Sequence, residues 1–450
     1  MPTSPTPPRT DATLAHQRRL LGRTNFERIS PGKYAVADFE LSRMAALLAD
    51  LGEPQLATPC VHVAGSKGKG SVATAVSAAL AAGGARCGLF TSPHVHHFEE
   101  RVRIGGEFLP AAAWEAAFGA VWPAVDRMDA EGRRATFFEI VTAVAWLAFR
   151  GQSCDAAAVE VGLGGRLDST NLCRPLVTVV TSISRDHGQL LGDSLSQIAA
   201  EKAGILKPGV PCVSGAEGEA AAVIEARAAE VGCPLWRLGR EIELTGSAAD
   251  PMRPREVSVR TPAGSRAVPV ALPGRHQERN AALAAAALDL LPESLRPTPE
   301  EASAGLASLA CPLRVEVVGE RPRVVLDAAH NGASVAALVA AVSEVPAARR
   351  WLVFGTSSDK HVEDMLAELR GAADRVVVTA YSTNPRALPA DELATQARAA
   401  LGQDVEVAAD PAAAVALLRR EAGPEDLVVC TGSFYLAGEV RELLAERPLG

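Results

Sequence analysis

The segment Gly65-Ser66-Lys67-Gly68-Lys69-Gly70-Ser71 brings three glycines, two lysines and two hydroxyls into seven residues, a set suited to holding phosphate. It follows the strand candidate Cys60-Val61-His62-Val63-Ala64 and leads into the Ala-rich stretch Ser71–Leu80, which reads as strand, turn and helix. At such a junction the unpaired N–H groups of the helix start and the helix dipole favour an anion. Glycines let the main chain approach phosphate oxygens, Lys69 supplies a point charge, and the Ser71 hydroxyl is offered to Mg²⁺. The spacing departs from GxxxxGK[ST], because Gly70 stands between Lys69 and Ser71.

A second cluster, Glu160-Val161-Gly162-Leu163-Gly164-Gly165-Arg166-Leu167-Asp168-Ser169-Thr170-Asn171, directly follows an apolar strand. A carboxylate at the C-terminal end of a strand sits where α/β sheets bind ligands, and its oxygens suit Mg²⁺. On pattern alone the same glycines read equally well as turn formers. A third cluster pairs Asp186-His187 with Glu201-Lys202-Ala203-Gly204. A lone histidine is more often structural than a ligand. Lys202 by itself reads as a helix-surface lysine near a C-terminus closed by Gly204.

These residues need a scaffold, and 450 residues exceed the ~250–300 at which single hydrophobic cores stop growing, so two domains are expected. Hydrophobic residues make up 48% and charged residues 22%, as in soluble globular proteins, and few are aromatic. A net charge of -8 argues against a nucleic-acid-coating protein, because phosphate-backbone affinity comes from clustered Lys and Arg. The eight cysteines show neither a CxxC pair nor zinc spacing, and no secretory segment precedes them, so reduced thiols in the cytoplasm are expected. No apolar run reaches the ~18 residues of a membrane-crossing helix.

Residues 1–13 are rich in Pro, Thr and Ser and read as a disordered tail. Helical periodicity covers Phe39–Leu51, Thr136–Phe149, Leu195–Ala203 and Asn280–Leu291, while Ala156–Val161 and Leu176–Ile183 read as buried strands. Such alternation predicts a mostly parallel sheet covered on both faces. Short alternating segments within 238–272 predict a small antiparallel sheet, and 295–312 reads as a Pro-containing linker. Strand candidates at Arg323–Asp327, Trp351–Gly355, Arg375–Ala380, Val405–Ala408 and Asp426–Thr431 alternate with helices such as Val335–Val342 and Pro411–Arg420. They define a second α/β unit, with the division at residues 14–310 and 311–450.

The ordered set of motifs resembles the folylpolyglutamate synthase and dihydrofolate synthase group of the Mur ligase superfamily, from about Asn25 to Tyr435. The resemblance rests on Asn25-Phe26-Glu27-Arg28, Leu51-Gly52-Glu53-Pro54-Gln55, the phosphate loop, Thr91-Ser92-Pro93-His94 and Thr136-Phe137-Phe138-Glu139. It continues through Glu160–Asn171, Asp186-His187 with Glu201-Lys202, and Gly274-Arg275-His276-Gln277 with Asn280. Asp327–Asn331, Asp359-Lys360 and Gly432-Ser433-Phe434-Tyr435 complete it.

The resemblance implies a P-loop ATPase-type domain followed by a smaller Rossmann-like glutamate ligase domain, with catalysis in the cleft between them. It implies that Ser71, Ser92, Glu160, His187 and a CO₂-carbamylated Lys202 hold two Mg²⁺ ions, with Lys69, His187 and Lys202 serving catalysis. Carbamylation makes physical sense, since an ammonium repels the metal whereas a carbamate is an anionic oxygen ligand. Asn280, Arg314 and Asp327 join residues 66–71 in holding ATP, and His330, Ser433 and Tyr435 match the glutamate site. Thr136, Phe137, Phe138 and Glu139, with Leu167, Asp168 and Ser169, match segments that hold the pteroate, although Phe137 and Phe138 serve equally well as core anchors.

The activity implied by the resemblance is that of an ATP-dependent ligase, cytoplasmic and monomeric, that joins L-glutamate to folate or dihydropteroate through an acyl phosphate. A Mur-type ligase acting on a cell-wall nucleotide precursor and a non-catalytic nucleotide switch share the same loop. Four departures bear on substrate preference: Ser66-Lys67 where the family loop carries Thr-Asn, Leu313 and Ala328 where it carries Gly, and Asn384 where Ser is usual. Leu313 and Ala328 put a Cβ where flexible backbone is customary.

Overall fold

The protein is described by a computed structural model that covers residues 7, 9–29, 39–185, 192, 194–246 and 252–449. The strands β1 (Cys60–Ala64), β2 (Cys87–Phe90), β3 (Val102–Ile104), β4 (Glu107–Phe108), β5 (Ala156–Glu160), β6 (Pro175–Val180), β7 (Cys212–Ser214) and β8 (Leu235–Arg237) form one sheet. Its order is β4-β3-β2-β5-β1-β6-β7-β8, parallel from β2 to β8 with an antiparallel edge of β3 and β4. Every residue of β1 and β5 is buried, His62 and Glu160 among otherwise apolar side chains, because a parallel sheet is covered on both faces. Val61 and Val63 pack with the helix Lys69–Ala82 and the Ala-rich helix His276–Asp289, while Cys60 faces a core built by the helices Ala111–Ala130 and Phe137–Gly151.

The predicted antiparallel sheet is present as β9 (Glu243–Thr245), β10 (Arg255–Thr261) and β11 (Gly264–Val270), in the order β11-β10-β9. Alternate residues of β10 are buried, and Val257 and Val259 extend the core around the phosphate-loop helix. The last sheet comprises β12 (Glu316–Glu320), β13 (Arg323–Leu326), β14 (Arg350–Phe354), β15 (Arg375–Val378), β16 (Val405–Val407) and β17 (Leu427–Thr431), in the order β12-β13-β17-β14-β15-β16. Apart from antiparallel β12 it is parallel, with helices between its strands.

Two expectations are corrected. The tail does not extend to residue 13: a helix runs Asp11–Leu21, started by a reciprocal cap between Thr10 and Thr13, and Arg9 pairs with the buried Glu99 at 2.8 Å. The linker contains the helix Pro299–Ala307, whose Thr298 and Glu301 form a capping box and whose proline sits in the first turn, where its missing N–H costs nothing.

Register sets the site. Val63 pairs with Glu160 and Ala64 with Val180, so the phosphate loop, Glu160 and Thr181 leave the sheet side by side at its carboxyl edge. In the last sheet Leu326 pairs with Cys430 and Phe354 with Thr431, which brings Asp327, Gly355 and Gly432 to one carboxyl edge. Ligands of open α/β sheets bind at such edges, and here the two edges line one cavity of about 520 Å³.

Candidate active site

The phosphate loop is tied down by its neighbours. The Ser66 N–H donates to the Ser182 carbonyl at 2.7 Å, and the Thr181 hydroxyl donates to the Lys67 carbonyl at 2.6 Å. Gly68 turns the chain into the helix with φ +85, a left-handed value, and a Cβ there would stand 2.5 Å from the Asn280 Oδ1. Only glycine meets both conditions. Ser66 through Ser71 and Asn280 all line the cavity.

Glu160 lies next to this loop, 4% exposed, with one oxygen accepting the Ser92 backbone N–H at 3.1 Å. Burial pushes its carboxyl above the usual range, against the opposing pull of Lys69, the Ser92 N–H and Arg314. Lys202 is also 4% exposed, and its ammonium donates to the Gly65 carbonyl at 3.1 Å. The surface-lysine reading is thereby overturned. The residues after Glu160 fold over the helix Leu195–Ala203, with the Asn171 amide donating to Arg166 and Gly204 carbonyls at 3.0 and 3.1 Å. His187 lies outside the described residues.

Among the described residues no group of three His, Cys, Asp or Glu side chains forms a ready metal cage. The donors near the loop are instead one carboxylate, Glu160, and the hydroxyls of Ser71 and Ser92, all lining the cavity. Mg²⁺ is usually held in this way, by one or two carboxylates with substrate phosphates completing its shell, so the donor set fits.

Arg314 faces this group from the second domain. The residues on either side of it, Leu313 at φ 57 and Val315 at φ 52, adopt left-handed backbone without being glycine. Such conformations cost about 1–3 kcal/mol each and persist where surroundings impose them. Asp327 imposes this one, accepting the Val315 and Ala329 N–H groups at 2.8 Å each. Burial raises its carboxyl, while these N–H groups and Arg314 oppose the rise.

His330 places Nε2 2.8 Å from the Lys67 ammonium and Nδ1 2.8 Å from the Ala328 carbonyl. Ser433 caps the helix Phe434–Glu446 by accepting the Tyr435 N–H, and the Tyr435 hydroxyl donates to the Glu27 carbonyl at 3.4 Å. All three line the cavity. So do Ser357, Lys360 and Arg386, to which the motifs alone assign no role. A signal was present, since Lys360 belongs to the Asp359-Lys360 motif and Arg386 lies two residues after Asn384, but their convergence on Asp359 is visible only in three dimensions.

Thr136 and Glu139 cap their helix reciprocally, at 2.7 and 3.3 Å, and Arg43 donates to Glu139 at 3.0 Å. Both face the cavity with Phe138, Leu167, Asp168 and Ser169. Gly162 makes room for Phe138, because a Cβ there would stand 2.5 Å from the ring. Phe137 does not line the cavity. It is 1% exposed in the core, edge-on to Phe98 at 6.3 Å and under the Arg101 guanidinium at 5.2 Å. Asp168 is a loop organiser as well as a wall, accepting the Leu163 N–H at 2.9 Å and the Thr170 N–H at 3.0 Å.

A Mur ligase middle-domain model matches residues 63–288, and a Mur ligase glutamate ligase domain model matches residues 313–434. The chain is 33% identical to the folylpolyglutamate synthase of Lacticaseibacillus casei, over 89% of this chain and 94% of that one. It is 34% identical to the dihydrofolate synthase/folylpolyglutamate synthase of Bacillus subtilis, over 90% and 94%. A probable bifunctional folylpolyglutamate synthase/dihydropteroate synthase of Haloferax volcanii is 35% identical over 88% of this chain, which spans only 47% of that longer relative. Among solved structures, Mycobacterium tuberculosis folylpolyglutamate synthase complexed with ADP and AMPPCP superposes with a TM-score of 0.84 at 30% identity, covering 96% of this chain and 98% of that one. Escherichia coli FolC in complex with DHPP and ADP gives 0.83 at 31%, covering 98% and 100%.

Proposed function

The chain belongs to the Mur-type ligases of the folylpolyglutamate synthase and dihydrofolate synthase family, and from that premise we propose that it joins L-glutamate to a folate, to dihydropteroate, or to both, at the expense of ATP. The observation that carries the reading is spatial: Lys69 from the first domain, Arg314 from the second and the buried Glu160 carboxylate all line one cavity. A site assembled from two domains around a phosphate loop suits phosphoryl transfer, where positioning and charge stabilisation supply most of the catalysis.

The substrate carboxylate attacks the γ-phosphorus, an O–P bond forms, the β–γ anhydride breaks, and ADP leaves. The glutamate amine then attacks the acyl carbon, a C–N bond forms, the C–O bond to phosphate breaks, and phosphate departs as the nitrogen gives up one proton and the amide is made. Lys69 and Arg314 hold the phosphates, Asn280 and Asp327 hold the rest of the nucleotide, and His330, Ser433 and Tyr435 receive the amino acid. Thr136, Phe138, Glu139, Leu167, Asp168 and Ser169 form the wall for the pteroate. Closure of the cleft keeps water from the acyl phosphate.

Ser71, Ser92, Glu160, His187 and a carbamylated Lys202 would hold two Mg²⁺ ions, which supply neutralisation of the triphosphate charge. The support for Lys202 is its burial and its contact with the loop at Gly65. The eight cysteines are free thiols, which supports a reducing cytoplasm, and among the described residues no helix is long and apolar enough to cross a membrane. The enzyme acts as a monomer, both domains of one chain completing the cavity.

The test is ADP release in the presence of ATP, Mg²⁺ and glutamate, with dihydropteroate compared against tetrahydrofolate. Glutamate-dependent release with either pterin is expected. Nucleotide binding without such turnover would leave only a switch, and turnover with a cell-wall nucleotide precursor alone would reassign the substrate.

A further inference from the structure

Lys67 occupies a loop position that is asparagine in the family pattern, and it reaches across the domain cleft to His330 at 2.8 Å. The chemistry of the contact fixes the imidazole. A carbonyl only accepts, so the His330 Nδ1, 2.8 Å from the Ala328 oxygen, carries a proton. An ammonium only donates, so Nε2 presents its lone pair to Lys67 and the ring is neutral. Beside this tie the Asn331 amide donates to the Arg185 carbonyl at 3.4 Å, again from one domain to the other. The first domain is therefore fastened to the start of the helix Gly332–Ser343 by two neighbouring contacts, one from the phosphate loop and one from the segment after β6.

A phosphoryl oxygen is a stronger acceptor for an ammonium than a neutral imidazole, because both partners are then charged and Coulomb attraction adds to the hydrogen bond. The Lys67 side chain starts within the phosphate loop and ends in the same cavity as Lys69, so it does not need to leave the site to exchange one acceptor for the other. We propose that Lys67 is a positioning cation that changes partners during turnover: it holds His330 Nε2 across the cleft until a phosphoryl oxygen reaches the loop, then pairs with that oxygen and releases the Nε2 lone pair to accept from the incoming glutamate amine. The inference rests on the ligase reading above. It adds a link between nucleotide arrival and readiness of the amino-acid site that asparagine, which carries no charge, does not provide.

The experiment uses full-length protein labelled with ¹⁵N-histidine, the His330 signal being assigned by its loss in His330→Gln. In the unsubstituted protein, Mg²⁺ with a non-hydrolysable ATP analogue is expected to move the His330 Nε2 resonance; in Lys67→Asn the resonance starts displaced and stays within error when analogue is added. Lys67→Arg, which keeps the charge, restores the movement. In ADP-release assays Lys67→Asn raises KM for glutamate as well as for ATP, by about 5-fold or more, the lower end of ordinary coupling between sites. A His330 resonance that ignores the analogue in the unsubstituted protein, or that moves equally in Lys67→Asn, overturns the proposal. Failure of the ligase reading is read separately, as absence of glutamate-dependent ADP release from the unsubstituted protein, since the resonance reports on Lys67 whether or not an amide is made.

Discussion

The Lys202 ammonium donates to the Gly65 carbonyl at 3.1 Å, so a helix residue and the first residue of the phosphate loop are joined inside the protein. A buried ammonium beside the proposed Mg²⁺ ions would repel them unless its charge is altered, which is the physical case for the proposed carbamate. Lys202→Ala is expected to reduce ligase turnover by about 10–100-fold, the scale on which supports of a metal site act. Formate or acetate should restore part of the activity in a concentration-dependent way. Turnover assays with and without the short acid decide it, and a fully active alanine variant would remove the carbamate role.

Glu160 gives a prediction with a sign. Its carboxyl is raised by burial, so between the ordinary glutamate value and the raised one the folded state binds more protons than the unfolded state. The stability it contributes is complete below the ordinary value and is lost as pH rises through the raised one. Glu160→Gln keeps an acceptor for the Ser92 N–H and removes the buried charge. The ligand-free variant should melt higher than the parent near neutral pH, by roughly 2 °C for each kcal/mol relieved. The gap should close toward about pH 4, while ligase activity is lost. Scanning calorimetry across that pH range is the measurement, and a lower melting point at neutral pH contradicts the argument.

Arg314 stands across the cleft from the loop and acts on Glu160 and Asp327 together. Arg314→Ala should raise the apparent KM for ATP by about 10-fold, as expected for a lost charge-assisted hydrogen bond of ~1.5–3 kcal/mol. The KM for the pterin substrate should change less. Equal changes in both, or none, would take Arg314 off the nucleotide.

Leu313, next to it, sets two effects against each other. Its left-handed backbone at φ 57 favours glycine, yet its side chain is fully buried in the second domain's core. Glycine would relieve about 1–3 kcal/mol of strain. It would also empty a leucine site, which costs about 2–5 kcal/mol even when alanine remains. The cavity wins, so Leu313→Gly should lower the melting temperature, and calorimetry showing a gain would mean that strain dominates.

Much of this arrangement was legible because the buried parallel strands are mostly apolar and the polar residues cluster at or just beyond their carboxyl ends. Cys60–Ala64 with its glycine turn, and Ala156–Glu160 with the block after it, announce both the strands and the edge where ligands bind. Short-range composition misled where a cap was overlooked. Prolines and threonines concealed the helix at Asp11–Leu21, and Thr298-Pro299-Glu300-Glu301 is a helix start inside a stretch that reads as linker. The depth of Lys202 was not legible, because it comes from residues about 35 positions earlier folding over its helix, as the Arg166–Glu201 pair at 2.9 Å attests. Nor does sequence distance disclose that Lys67 and His330 touch.

Phe137 and Phe138 are adjacent at the start of one helix, and successive helical side chains diverge by about 100°, so one of the two had to face inward. The structure sends Phe137 into the core, 1% exposed, and Phe138 to the cavity wall, where its ring lies 5.9 Å from Phe90. Phe137→Ala should therefore cost about 3–5 kcal/mol of stability, with little change in the pterin KM of the protein that remains folded. Phe138→Ala should raise the pterin KM by up to about 10-fold, the worth of one aromatic contact of ~0.5–1.5 kcal/mol, at a smaller cost in stability. Denaturation curves and pterin titrations of the two variants side by side provide the check. If the losses are exchanged, so that Phe137 governs KM and Phe138 governs stability, the wall assigned to the pteroate is wrong.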